Sequence, residues 1–555
     1  MRALPFLLIG LLVMSAPAYA LNLSEVFRPL EDIFAKLNRL IYGSLQDEIT
    51  LYAKEYHEVY EGVYVDKLLY ELLTAGSISA ASYEASDFDR QLLEDDLADG
   101  RFGVIIQFNR LPSVEVIYQI AEALGGEVFH IDRGINAVAI RLVEQPRLKA
   151  WIAQNASELS VARVYLDTFT KVPEKPNPEN PPSKAEKPET PADNRTNNTI
   201  DRPGYRPWVG NPYDIIEEKR PVVKNQTPVR EVEIGREQAE NTAYQASLTK
   251  ANEVWEAGIT GRSVVIAILD TGIDENHPML VNATIGCKSF VEGEDCHDYH
   301  GHGTHVAGIA AGRPVLAEKD GRRVWVSGIA PNARILNIKV LGKNGGGSMS
   351  GVIAGLDYVA QWKQKHPDTP VVVSMSLGTP FGNPSDPVVQ KVNWLAGQGI
   401  SVVVAAGNEF VVIDSPGLAE NAITVAAVNE EGKVASFSGK GPGTNYKDVK
   451  PDIAAPGVKV PSARANTKQL VEMSGTSMAT PAVAGAIALV LERNPDLADK
   501  PGRVKELLEA TAENNGEPEI WVGAGIVDAY AAVEKLPKRQ SLGIMAKVKA
   551  LFGGG

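Results

Sequence analysis

The sequence predicts an α/β protein, with a parallel sheet flanked by helices over residues 235–537, preceded by a ferredoxin-like α+β domain and an N-terminal helical segment. Three observations predict it. The larger, C-terminal part alternates nearly continuous apolar runs with helical periodicity, which suits strands covered on both faces. Residues 101–172 change period in the order β-α-β-β-α-β. Between the two parts, residues 173–234 are crowded with Pro, Glu, Lys and Asn, too few apolar groups to offset ordering entropy.

The elements follow in chain order. Residues 1–20 read as a secretory signal peptide: Arg2 supplies a positive start, Phe6 to Val13 an apolar run, and Ala18-Tyr19-Ala20 a cleavage site. That run is too short to cross about 30 Å of hydrocarbon. No later stretch reaches 18 uninterrupted apolar residues, so a secreted or extracytoplasmic chain without a transmembrane span is expected. Over residues 21–100 the pattern is mainly helical. Val26, Phe27, Leu30, Ile33, Phe34, Leu37, Leu40 and Ile41 recur at three- and four-residue steps, as a buried helix face requires. Nothing there carries chemistry, and a packing segment of unassigned role is the reading.

Within residues 101–172, strands are expected from Val104, over Gly126 to Ile131, over Ile135 to Val143 and over Val161 to Leu166. Helices are expected over Ser113 to Leu124 and Glu144 to Gln154. The fold hosts many functions and by itself names none. Residues 173–234 read as a semi-extended linker. The large domain shows apolar runs at Val264 to Leu269, Ile335 to Val340, Val371 to Ser376, Val402 to Ala406 and Ile423 to Val428. Helices are expected over Gly351 to Lys365 and Ser477 to Glu492. Residues 538–555 form a short basic tail, read as a frayed terminus.

A net charge of −14 gives no basic footprint for nucleic acid. Cys287 and Cys296 are the chain's two cysteines. In an exported protein they read as a small disulfide loop. Two free thiols are the alternative, because the Cα separation decides.

The polar residues that carry chemistry sit at fold-determined places. Asp270 and Asn408 end apolar runs, so both fall at the carboxyl edge of a parallel sheet, where ligands bind. His302 opens a helix within Gly301-His302-Gly303-Thr304-His305, and Ser477 opens another within Gly475-Thr476-Ser477-Met478-Ala479-Thr480-Pro481. Pro481 requires a nearby helix start. Hydrolysis by a serine needs a base for the hydroxyl proton, an anion orienting that base, and a donor to the developing oxyanion. His302, Asp270 and Asn408 supply those groups for Ser477, and the Ser477 backbone N–H supplies a second donor.

Asp270-Thr271-Gly272-Ile273-Asp274, the His302 block, Ala405-Ala406-Gly407-Asn408 and the Ser477 block resemble the signature segments of the subtilisin-like serine protease family, in its Asp, His, Ser order. The resemblance spans about Gly235 to Lys535. It implies a serine endopeptidase that acts on protein or peptide substrates and needs no cofactor for its chemistry. It implies that Gly345-Gly346-Gly347 pairs with an extended substrate backbone and that Ser376-Leu377-Gly378 lies opposite, beside the specificity pocket. Which side chains the pocket takes is not readable from the sequence; apolar walls there would imply a broad preference that extends to hydrophobic side chains. It also implies that residues 101–172 are a propeptide that inhibits the enzyme, so the protein would be a self-processing zymogen. One departure concerns structural calcium. Met279 stands where many members carry an aspartate, and no calcium loop is recognisable over Arg313 to Gly328, so the usual tight site is expected to be absent.

Two rival readings exist. Cys296, His297, Asp298, His300, His302 and His305 lie close together and are zinc-ligand types, but a metallohydrolase leaves Asp270, Asn408 and Ser477 unexplained and no His-Glu-x-x-His helix is present. The expected site therefore contains no metal. A non-catalytic surface protein on the same fold is the other rival, which a complete set of reactive groups disfavours.

Overall fold

The computed structural model describes residues 101–171 and 233–536, apart from short gaps at 158, 168, 241, 320, 380–382, 410–411, 443–448 and 515, together with parts of 57–73. The signal peptide, the helical pattern before residue 57, most of the Pro-rich linker and the C-terminal tail lie outside the described residues.

The N-terminal domain is a sheet with helices on one face. Strands β1 (His57–Tyr60), β2 (Val63–Asp66), β3 (Arg101–Phe108), β4 (Glu127–Asp132), β5 (Ala137–Glu144) and β6 (Val161–Leu166) are ordered β1-β2-β6-β3-β5-β4. Helices α1 (Val114–Leu124) and α2 (Gln145–Asn155) complete the β-α-β-β-α-β unit. Alternation along the strands decides which face each residue serves. Val104, Ile106, Val138 and Ile140 pack with Ile117, Leu124, Leu148 and Ile152 of the two helices. The intervening Ile105, Ala137 and Ala139 point the other way, into a second apolar cluster shared with the large domain.

The helical reading of residues 21–100 needs correction where the chain is described. β1 and β2 form an antiparallel hairpin, and β2 adds to the sheet beside β6 in parallel. Val63 and Val65 are buried while Tyr64 is 53% exposed, a period-two pattern over only four residues. So short a run is hidden by the longer helical periodicity around it. Leu69, Leu72 and Leu73 join the same core, so the domain begins well before residue 101.

The large domain is built on seven strands, all parallel to their neighbours, in the order β17-β16-β15-β14-β8-β12-β9. They are β8 (Val265–Asp270), β9 (Thr284–Ser289), β12 (Arg334–Lys339), β14 (Val371–Met375), β15 (Ser401–Ala405), β16 (Ile423–Val428) and β17 (Ile453–Pro456). Helix α3 (His302–Ala311) comes between β9 and β12, and α4 (Met349–Lys365) and α5 (Pro387–Gly397) flank β14. Helix α6 (Thr476–Arg493) follows the last strand of the sheet. The sheet is covered on both faces. Ile266 and Ile268 pack with α3 and α6, whereas Val265, Ala267 and Leu269 pack with α4 and α5.

The segment in which no calcium loop was recognisable forms an antiparallel hairpin, β10 (Val315–Lys319) and β11 (Arg322–Val326). Met279 is buried in the apolar core beneath it, and its backbone carbonyl accepts from Arg313 N at 2.7 Å. No helix among the described residues is long and apolar enough to cross a membrane.

The two domains meet through α4 and α5. A short strand after the N-terminal domain, β7 (Phe169–Lys171), pairs antiparallel with β13 (Gly346–Ser348) of the large domain. The Asp167 carboxylate accepts from Ser350 N at 2.9 Å and from Ser350 Oγ at 2.5 Å, at the start of α4. An anion there is favoured by the unpaired N–H groups and dipole of the helix.

Candidate active site

Asp270 is the last residue of β8 and His302 the first of α3. His302 Nδ1 lies 2.7 Å from Asp270 Oδ1, which also accepts from Thr271 N at 2.7 Å. The carboxylate thus holds the imidazole by one nitrogen in a buried setting. The two loops approach so closely that a Cβ at position 303 would lie 2.2 Å from Gly272 O, which only glycine avoids.

A second carboxylate organises that loop, and its role was not read from the sequence. Asp298 is fully buried. Its Oδ1 accepts from Thr271 Oγ1 at 2.9 Å, His300 N at 3.0 Å and Gly301 N at 2.8 Å. Its Oδ2 accepts from Thr304 N at 2.8 Å and Thr304 Oγ1 at 2.6 Å. Thr271 Oγ1 accepts in turn from Gly303 N at 2.9 Å. Asp298 therefore caps α3, whose own cap position is glycine and offers no side chain. Its position four residues before His302 is the one signal that could have marked it.

Ser477 lies in the first turn of α6, which packs against α3. Pro481 falls in the second turn of α6, whose start lies one residue before the expected one, and it has no N–H to give the Ser477 carbonyl. Ser376 Oγ replaces that donor at 2.8 Å, and Ser477 Oγ lies 3.4 Å from Ser376 O. The proline so ties the helix start to the strand end after β14. Asn408 follows β15, and its Oδ1 accepts from Thr476 N at 3.0 Å and Thr476 Oγ1 at 3.1 Å. With its oxygen so engaged, the amide nitrogen Nδ2 is buried and has no hydrogen-bond partner among the described residues. A donor pre-fixed in this way suits a developing oxyanion.

The substrate-contact candidates divide. Gly346 and Gly347 lie in β13, opposite Lys171 and Thr170, and Gly345 precedes it. Leu377 is buried, Gly378 follows it, and Thr379 pairs with Ser415 across an antiparallel bridge. In the intact chain Asp270, His302 and Ser477 are 1%, 0% and 0% exposed.

Cys287 and Cys296 form a disulfide with a Cα separation of 6.2 Å. Cys296 O accepts from Ile273 N at 3.2 Å and Asn337 Nδ2 at 3.0 Å, seating the loop against the Asp270 turn. The neighbouring histidines take separate partners. His297 Nε2 meets Asn466 Oδ1 at 2.7 Å and His305 Nε2 meets Val471 O at 3.0 Å. Burial pushes the His305 imidazole down to about 3, against the pull of its backbone hydrogen bond. Among the described residues no group of three or more His, Cys, Asp or Glu is arranged to hold a metal ion.

The sequence model described as the subtilase family matches residues 261–526. Serine protease AprX of Bacillus subtilis (strain 168) is 38% identical over 340 residues, 55% of this chain and 74% of that protein. Subtilisin Savinase of Lederbergia lenta is 36% identical over 296 residues, 53% of this chain and 99% of that protein. Subtilisin E of Bacillus subtilis (strain 168) is 34% identical over 313 residues, covering 55% and 75%. With the buried Asp270–His302 pair, the Ser477 helix and this likeness along 74% to 99% of these relatives, the chain belongs to the subtilase family.

Proposed function

We propose that the protein is a secreted serine endopeptidase made as a self-processing zymogen, with Asp270, His302 and Ser477 as its triad. The observation that carries the reading is the 2.7 Å contact of His302 Nδ1 with Asp270, at the edge of the sheet where the Ser477 helix begins. Asp270 fixes the tautomer, so the other ring nitrogen serves as the base. It takes the Ser477 hydroxyl proton as Oγ attacks the peptide carbonyl, then delivers that proton to the departing amine. The carbonyl oxygen becomes negative opposite Asn408 Nδ2 and the Ser477 N–H, which an N-terminal turn leaves without an intrahelical acceptor. Water hydrolyses the resulting ester by the same groups in reverse. No cofactor takes part, and Met279 in the core speaks against the usual tight calcium site.

Protein or peptide chains are the substrates, and residues 101–172 are an intramolecular inhibitor. The pairing of β7 with β13 supports the second part, because it lays an extended segment along the glycine strand that a substrate would use. Residues 1–20 direct export, and residues 173–234 form the linker that carries or follows the cut. Expressing the wild type beside Ser477→Ala tests the reading. The wild type is expected to lose its N-terminal domain and to label at Ser477 with a fluorophosphonate. An identical mature N-terminus in both proteins would show that another protease makes the cut.

A further inference from the structure

A buried carboxylate, Asp414, lies against the backbone at Gly378 and Gly407 and takes no part in the mechanism above. Two backbone segments flank the position that a substrate's acyl group must occupy between Ser477 Oγ and the Asn408 amide. One is Ser376 to Thr379, tied to Ser477 through both the hydroxyl and the carbonyl of Ser376. The other is Ala406 to Asn408, tied to the start of α6 through Thr476. The loop Ile413 to Ser415 closes the far end between them. Asp414 N donates to Ala406 O at 3.1 Å, and Thr379 and Ser415 exchange backbone hydrogen bonds of 2.8 and 3.1 Å.

Asp414 is 2% exposed, and its carboxylate faces both walls. A Cβ added at Gly407 would lie 2.3 Å from Asp414 Oδ2, and one added at Gly378 would lie 3.5 Å from the same oxygen. The side-chain space at both glycines is taken up by Asp414 itself, so the slot between the two backbone walls ends on a negative group. The slot opens one residue from Asn408 on one side and two residues from Ser376 on the other.

We propose that Asp414 makes this pocket select lysine or arginine at the substrate position whose carbonyl Ser477 attacks. The inference rests on the proteolytic reading and names its substrate class. A basic side chain suits the slot on two counts. Its methylene stem lies along the glycine walls, and its cationic head meets the carboxylate in a charge-assisted hydrogen bond, the strong kind. An aromatic or aliphatic side chain of similar length would bring no donor to the carboxylate. Nothing local in the sequence marks Asp414, which falls six residues beyond Asn408 in a loop.

The test uses the full chain after maturation and four peptide anilides that differ only before the scissile bond, with Arg, Lys, Phe or Leu. The arginyl and lysyl substrates are expected to exceed the phenylalanyl one in kcat/KM by about 100-fold, as sites built around a polar partner discriminate. Asp414→Asn is expected to lower kcat/KM for the arginyl substrate by about as much and to raise it for the phenylalanyl one. Asp414→Glu, which keeps the charge, should keep the basic preference and serves if the asparagine variant does not fold. A wild-type preference for Phe or Leu, or a basic preference that Asp414→Asn leaves intact, overturns the assignment. Fluorophosphonate labelling separates the two levels. Labelling at Ser477 without basic preference rejects Asp414 alone; neither labelling nor cleavage rejects the proteolytic reading, and the Asp414 assignment with it.

Discussion

Lys391 Nζ, on α5 of the large domain, lies 2.7 Å from Asp132 Oδ2 at the end of β4 in the N-terminal domain, with both side chains buried. Asp357 Oδ1 on α4 is 3.1 Å from the same ammonium, and the Trp394 ring centre is 3.7 Å from it. The Asp132 carboxylate also accepts from Gly134 N at 2.7 Å and Ile135 N at 3.1 Å, which fixes the turn that rests on Trp394. This buried ion pair joins the N-terminal domain to the large domain.

Asp132→Asn should therefore loosen the docked domain. Removing one partner of a buried ion pair costs about 3–5 kcal/mol when the other charge is left alone, a cost that the remaining Asp357 contact to Lys391 partly relieves. In a full-length Ser477→Ala background, amide hydrogen exchange over residues 101–166 is expected to accelerate. Exchange identical to the parent would show that the apolar contacts alone hold the domain in place.

The same interface should weaken in acid. His130 Nε2 lies 3.9 Å from Asp132 Oδ2 and 3.8 Å from Asp357 Oδ2. Burial lowers the His130 pKa; the carboxylates of Asp357 and Asp132 oppose that shift, and the Lys391 charge adds to it. The docked state therefore binds fewer protons than the undocked one, whose imidazole titrates near about 6.5. Docking is fully stabilised above that value and is lost progressively as the pH falls through it towards the lower docked pKa. Protection of the N-terminal domain's amides, taken relative to the intrinsic exchange rate at each pH, should fall on going from about pH 7 to about pH 5, and His130→Gln should flatten that dependence. An unchanged slope in the variant would remove His130 from the account.

Asp298→Ala should act on turnover more than on binding. The carboxylate touches no reacting atom, yet it holds the Thr271 and Thr304 hydroxyls and the backbone before His302. Displacement of a catalytic group by an ångström costs on the order of 100-fold. A fall in kcat of about 10- to 100-fold with a smaller change in KM is expected from active-site-titrated enzyme. A lower melting temperature with unchanged kcat would reduce Asp298 to a structural role.

Lys450→Met should destabilise the large domain. The buried Lys450 Nζ donates to Ala419 O at 3.0 Å, Ala422 O at 3.2 Å, Thr424 Oγ1 at 2.9 Å and Asp452 Oδ2 at 2.6 Å. Burial pulls the amine down to about 8, with the Asp452 charge opposing. Methionine leaves four oxygens without their shared donor, a loss of about 3–5 kcal/mol, partly relieved by the Lys505 contact to Asp452. Thermal denaturation of the Ser477→Ala form measures it, and an unchanged midpoint would contradict the assignment.

Much of the fold was legible in the chain. Strands buried on both faces must be apolar throughout, so β8, β15 and β16 stand out as runs. The elements that escaped notice lack that mark. β9 is a half-exposed edge strand carrying Lys288 and Cys287, and β17 is only four residues long, ending in Pro456 at the other edge.

By itself the sequence determined the parallel sheet, the β-α-β-β-α-β unit and the motif residues Asp270, His302, Asn408 and Ser477. Each shows itself through neighbours in the chain: an unbroken apolar run, an alternation, a polar residue at a strand end or helix start. Only the tertiary structure decided that Ser376 takes the donor role Pro481 gave up, that Asp298 caps the His302 helix, that Lys391 meets Asp132, and that Asp414 ends a slot between two glycines. Those are relations between segments far apart in the chain, and a buried charge or carbonyl finds its partner only when packing has excluded water around it.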